Sequence, residues 1–133
     1  MKNTTELLHQ IRNHRSPDFV TSSDYNCPSI RYYLSDLLRL NSFSSIAYFR
    51  ELNIDKSYGY QILNGKRQPT REMLLQTAIL FHLDYAKTQR LLKIGKREVL
   101  YPRGRQDALT IFALENNLSL QEYQVLLESY EEF

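Results

Sequence analysis

The stretch Ser44 to Leu83, SSIAYFRELNIDKSYGYQILNGKRQPTREMLLQTAILFHL, decides the fold. It divides into three short helical segments, each bounded by residues that end or start helices. Ser44 offers a hydroxyl N-cap for a helix reaching Leu52. Asn53 stands where the chain must turn, and among residues with a side chain asparagine tolerates positive φ best. Ile54 beside it is placed to plug the core, and Asp55 caps a second helix running to about Leu63. Asn64-Gly65 stops that helix, with Gly65 as its C′ residue. Pro69 then blocks continuation before Thr70 caps a third helix, whose Met73, Leu74, Thr77, Ala78 and Phe81 share one face.

The same signals continue outward. Upstream, Ile30, Tyr33, Leu34, Leu37 and Leu38 have the spacing of one buried helix face over Ile30 to Leu40. Downstream, Asp84 caps a helix ending near Gly95, with Leu91, Leu92 and Ile94 apolar. Tyr101-Pro102-Arg103-Gly104 is a connector, followed by a helix over Gln106 to Glu115. Ser119 and Glu122 have capping-box spacing, with Leu118 and Tyr123 set as the hydrophobic staple of a last helix. At the other end, Asn3 and Glu6 have the same spacing ahead of an apolar stripe of Leu7, Leu8 and Ile11 in Thr4 to His14. Ser16-Pro17-Asp18 and Thr21 to Ser29, with Asn26, Cys27 and Pro28, are rich in turn formers. No segment alternates with strand-like β-branched content. The expectation is an all-α protein, a compact bundle of about seven helices built on a five-helix core. Residues 1–28 form an N-terminal helix and arm, 29–95 the core, and 96–133 a C-terminal helical pair available for dimerisation.

The chain has 133 residues, enough for one core with appendages and short for two ordinary domains. With 42% hydrophobic and 24% charged residues it has the composition of a folding chain. The single cysteine, Cys27, excludes an intramolecular disulfide framework and a four-ligand cysteine zinc site, which suits a reducing cytoplasm. No apolar run approaches the roughly 20 residues that cross a bilayer, so no membrane contact is expected. The net charge of +2 conceals segregation. Residues 30–71 hold seven basic and three acidic side chains, residues 86–105 seven and one, and residues 106–133 six acidic and no basic side chains. Such asymmetry points to a positive face and an acidic tail.

Two short helices joined by a tight turn inside a bundle is a layout that places a helix in DNA. Ile62-Leu63-Asn64-Gly65-Lys66-Arg67-Gln68-Pro69-Thr70, followed by Leu74, Leu75 and Ala78, resembles the Cro and phage-repressor (XRE) helix-turn-helix family. The resemblance implies Lys56 to Asn64 as the recognition helix, Asn64 as a phosphate contact, and binding as a two-fold dimer. The chain departs from the family at two positions. Phe49 stands where the helix before the turn usually presents a small residue, and Gly59 where the recognition helix usually presents Val or Ile. A large residue opposite a glycine is expected to reverse the usual volumes and keep their sum.

With Gly59, Ile62 and Leu63 inward, Ser57, Tyr60, Gln61 and Asn64 fall on the outer face at helical spacing, flanked by Lys56. The expected base contacts are Lys56, Ser57, Tyr60 and Gln61, with Gln61 pairing adenine, Lys56 guanine and Tyr60 meeting a thymine methyl. The expected phosphate contacts are Asn64, Lys66, Arg67 and Arg71. A second basic group comprises Lys87, Arg90, Lys93, Lys96, Arg97, Arg103 and Arg105. Leu118, Leu120, Tyr123, Leu126, Leu127 and Tyr130 supply an apolar face that either completes its own core or forms a homodimer. His9, His14 and His82 lack ligand spacing, so no metal or cofactor is expected. No nucleophile elbow, phosphate loop or carboxylate cluster is present, and an enzyme is not expected. The leading reading is a sequence-specific double-stranded DNA-binding regulator, a repressor or autoregulator acting as a homodimer. The alternative is a protein-interaction adaptor or antitoxin-like subunit that uses the same bundle to bind a partner protein, and RNA binding through residues 86–105 comes third.

Overall fold

In the computed structural model, residues 3–18 and 29–131 are described, and among them the chain forms eight helices and no strand. They are α1 (Thr4–Asn13), α2 (Ile30–Leu40), α3 (Ser45–Leu52), α4 (Lys56–Leu63), α5 (Arg71–Leu80), α6 (Tyr85–Ile94), α7 (Arg105–Glu115) and α8 (Leu120–Ser129). The expected all-α bundle is therefore observed, with one helix more than about seven. Cys27 and most of the turn-rich arm lie outside the described residues.

Four of the connections share one three-residue design. Ser42-Phe43-Ser44, Asn53-Ile54-Asp55, His82-Leu83-Asp84 and Asn117-Leu118-Ser119 each begin with a residue at positive φ. An apolar residue follows, and its N–H reaches back to close the preceding helix: Phe43 to Leu38 O, Ile54 to Phe49 O, Leu83 to Ala78 O and Leu118 to Ala113 O. These are Schellman endings, which satisfy carbonyls a helix end leaves free. The third residue caps the next helix with its side chain, accepting from Ala47, Ser57, Lys87 and Glu122 N–H respectively. Of the four, Asn53 and Asn117 are the residue type that tolerates this conformation best. Ser42 and His82 adopt the conformation because the apolar residue after each gains more by burial than the strained φ costs, about 1–2 kcal/mol.

The α5 helix is the centre. Met73, Leu74, Leu75, Thr77, Ala78 and Ile79 are all buried, and the helix touches α3, α6, α7 and α8. Its buried threonine does not break this apolar environment. The Thr77 hydroxyl donates to Met73 O at 2.7 Å, so its oxygen is free to accept from the buried Tyr48 hydroxyl at 2.6 Å. Thr110 repeats the arrangement in α7, donating to Gln106 O at 3.0 Å and meeting the Tyr123 hydroxyl at 2.8 Å. Both tyrosines thus bury their rings with a partner for the polar end.

The C-terminal helices join the same core. Ala113, Leu114, Leu120 and Tyr123 belong to one buried cluster with Leu34, Tyr48 and Leu74, and Leu118, Leu126 and Leu127 pack partly against it. Of the apolar face expected on α8, most is spent on the chain's own core, with Tyr130 left exposed. Arg71 at the start of α5 donates to both Asp107 carboxylate oxygens in α7, at 3.1 and 2.9 Å. By contrast α1 buries no residue, and Leu8 and Ile11 are 45% and 42% exposed. No helix among the described residues is long and apolar enough to cross a membrane.

Candidate nucleic-acid interface

The α4 helix is held from behind by α2 and α3. Asp55 accepts from Ser57 and Tyr58 N–H at 3.0 and 3.4 Å and so fixes its N-terminus. Gly59 and Ile62 are buried and Leu63 is half-buried, as the inward set requires. Lys56, Ser57, Tyr60 and Asn64 are exposed, and Gln61 is half-buried. Between Lys56 and Thr70 the chain carries three cations, Lys56, Lys66 and Arg67, and no acid. The outward face of α4 and the loop after it is therefore polar, positive and unobstructed by like-signed repulsion toward a polyanion.

Gly59 is where the backbone of α4 comes closest to α3. A Cβ built there would lie 2.7 Å from Phe49 Cζ and closer still to two other ring carbons, inside any real contact distance. The Phe49 ring, only 2% exposed, occupies the volume a Val or Ile side chain would fill. The expected reversal of volumes is present. It also engages the outer face, because the Tyr60 ring meets the Phe49 ring edge to face with centroids 5.0 Å apart. Tyr60 remains 45% exposed, so only part of its ring is available to a ligand.

The loop after α4 is pinned to it. Gly65 turns at φ +86°, and its N–H donates to Ile62 O. The Asn64 carboxamide oxygen accepts from Lys66 N–H at 3.0 Å, and Arg67 N–H donates to Gln61 O at 3.1 Å. The Asn64 side chain is thus partly used in shaping the turn. Arg31 on α2, which carries no motif in the sequence, supports this corner from 33 residues away by donating to Asn64 O at 2.7 Å. Its guanidinium also lies over the Tyr32 ring, with the carbon 4.4 Å from the centroid. Nothing local in the sequence marks Arg31, because its partner is reached only through the packing of α2 on α4.

Arg71, expected among the phosphate contacts, is engaged within the fold. Besides Asp107, its guanidinium donates to Glu98 O at 2.9 Å and Val99 O at 3.3 Å. Burial acts to raise the Asp107 pKa, but hydrogen bonds from Arg71 and Tyr101 N–H, with the Arg71 charge, hold it below the usual carboxylate value. A guanidinium engaged with a carboxylate and two carbonyls is a structural tie, and its charge is already matched. Lys66 and Arg67 keep exposed positions beside α4. Of the second basic group, Arg97 is tied to the loop through Pro69 O at 3.0 Å, while all seven members are exposed. Comparison with protein-family models, curated proteins and solved structures finds no match to any of them.

Proposed function

We propose that the chain is a sequence-specific double-stranded DNA-binding regulator that inserts α4 into the major groove. The observation that supports this best is the pairing of a firmly seated inner face of α4 with an outer face holding Lys56, Ser57, Tyr60, Gln61 and Asn64, flanked by Lys66 and Arg67, with no acid between Lys56 and Thr70. An α-helix fits the major groove, where side chains of these types meet base edges and neighbouring cations meet phosphates. The resemblance to Cro and phage repressors carries the further proposals of transcriptional repression and action as a homodimer on half-sites about 34 Å apart. A fluorescence anisotropy titration with a random-sequence duplex at several salt concentrations tests the core of the reading. The expected result is binding that weakens steeply with salt, and no binding at low salt would overturn it.

A protein-interaction role is the second reading. It draws on an open apolar groove of about 470 Å³ between α7 and α8, lined by Leu109, Phe112, Leu127 and Tyr130 among others. Phe112 and Tyr130 are exposed there, an arrangement of the kind that partner surfaces use. Under this reading the duplex titration is negative and Phe112→Asp abolishes association with the partner.

A further inference from the structure

Resting on the DNA reading above, we infer that Gln61 and Arg67 act as one guanine-reading unit, rather than as an adenine reader and a separate phosphate contact. The return of the chain after α4 makes the pairing. Gly65 at positive φ and the Arg67 N–H bond to Gln61 O bring the Arg67 backbone back beside the last turns of the helix. From there the side chain runs toward the helix N-terminus, past Gln61 to the half-buried Tyr58. Its Nε donates to Gln61 Oε1 at 2.5 Å, and its guanidinium carbon stands 5.9 Å from the centre of the Tyr58 ring. Arg67 is thus fixed at three points: the backbone bond, the Gln61 oxygen and the face of Tyr58.

Hydrogen-bond inventory then decides what the unit reads. A glutamine that pairs adenine must accept from N6–H2 through its oxygen while its amide donates to N7. In this chain one lone pair of that oxygen already accepts from Arg67, and the guanidinium charge beside it disfavours a second, amino donor. The rest of the pair, the Arg67 Nη1/Nη2 edge and the Gln61 amide nitrogen, consists of donors. Guanine alone presents two acceptors, O6 and N7, side by side in the major groove. Adenine would set its N6–H2 donor against donors, and thymine offers one acceptor and a methyl. The planar, pre-oriented fork also loses less freedom on binding than a mobile arginine would. Gln61 is on this account a positioning residue for Arg67 as well as a donor in its own right.

The test is selection of bound duplexes from a random pool with the full-length protein, followed by affinities for the selected site and for the same site with one guanine changed to adenine. The expected preference at one position is guanine over adenine by roughly 5- to 150-fold, the range of one bidentate pair. Arg67→Ala and Gln61→Ala should each remove most of that preference at the same position. The double variant should be no worse than Arg67→Ala, since the two act together. Gln61→Glu keeps an acceptor for Nε and should retain the guanine preference. Lys66→Ala should weaken all sequences alike. A uniform loss in Arg67→Ala, or adenine at the position lost in Gln61→Ala, or a switch to cytosine in Gln61→Glu, would overturn the pairing while leaving DNA binding intact. Absence of any duplex binding at low salt would instead remove the DNA reading itself.

Discussion

The ring of Phe49 lies across the backbone of Gly59 so closely that α3 and α4 can pack as they do only because position 59 has no side chain. The arrangement carries two opposed contributions. A glycine inside α4 weakens the isolated helix by about 1 kcal/mol relative to alanine. The ring it admits is nearly fully buried and contributes more than that, about 1.5–3 kcal/mol by burial. Gly59→Val should therefore destabilise the fold by about 1–3 kcal/mol, despite the better helix former. Phe49→Ala alone should cost about 3–5 kcal/mol through the cavity it leaves. The double variant should lose clearly less than the two single losses summed, because each change vacates or fills the same space. Urea denaturation of the four proteins measures this, and strict additivity would show that the two residues do not share that volume.

The Arg71 and Asp107 pair should make the docking of α7 on α5 sensitive to acid. Asp107 is held below its usual pKa, so its contribution is present above the unfolded value of about 3.9 and is lost as pH falls through the lower folded value. Thermal unfolding followed from neutral pH down to about pH 2 should show this loss. Asp107→Asn should be less stable at neutral pH, by about 1–3 kcal/mol, and show a shallower acid dependence. An unchanged acid limb in that variant would assign the dependence to other carboxylates.

Burial raises the Tyr48 pKa to about 12. Because the folded value lies above the unfolded one of about 10, stability from this group is complete below pH 10 and declines as pH rises toward 12. Tyr48→Phe should remove this alkaline decline at a cost of about 1 kcal/mol at neutral pH. Thr77→Val should cost more, about 1–3 kcal/mol, because it leaves the buried tyrosine hydroxyl without an acceptor. Equal costs for the two variants would mean that the hydroxyl finds another partner.

Arg31 supports the end of α4 through Asn64 O, and its removal should loosen that corner without unfolding the bundle. In Arg31→Ala the amides of Gly65 and Arg67, which close the loop onto Ile62 O and Gln61 O, should exchange with solvent several-fold faster. Amides in the middle of α5 should be unaffected. Hydrogen exchange followed by NMR separates the two sets, and uniform acceleration would show a global rather than a local effect.

How much of this was legible in the sequence follows from the range of the interactions involved. Every helix was visible because caps and apolar periodicity are local. Ser44, Asp55, Thr70, Asp84 and Ser119 each accept from an N–H two or three residues on, as their positions implied. The inner and outer faces of α4 were legible for the same reason, since Gly59 and Ile62 are buried and Ser57, Tyr60 and Asn64 exposed. The tie between Arg71 and Asp107 was not legible because the two lie 36 residues apart. Sequence spacing does not report such a pair. The stripe on α1 had the right period and found nothing to cover it among the described residues, since amphipathicity fixes a face but not its partner.

By itself, then, the sequence determined where the helices begin and end, that they make an all-α bundle, and which side of α4 turns outward. These are consequences of hydrogen bonds and side-chain spacing within a turn or two of chain. Only the tertiary structure decided that Phe49 fills the space above Gly59, that Arg31 holds the end of α4, that Arg71 belongs to Asp107, and that Arg67 returns to Gln61. Each of those depends on two segments brought together by burial of a shared core, and burial is a property of the whole chain.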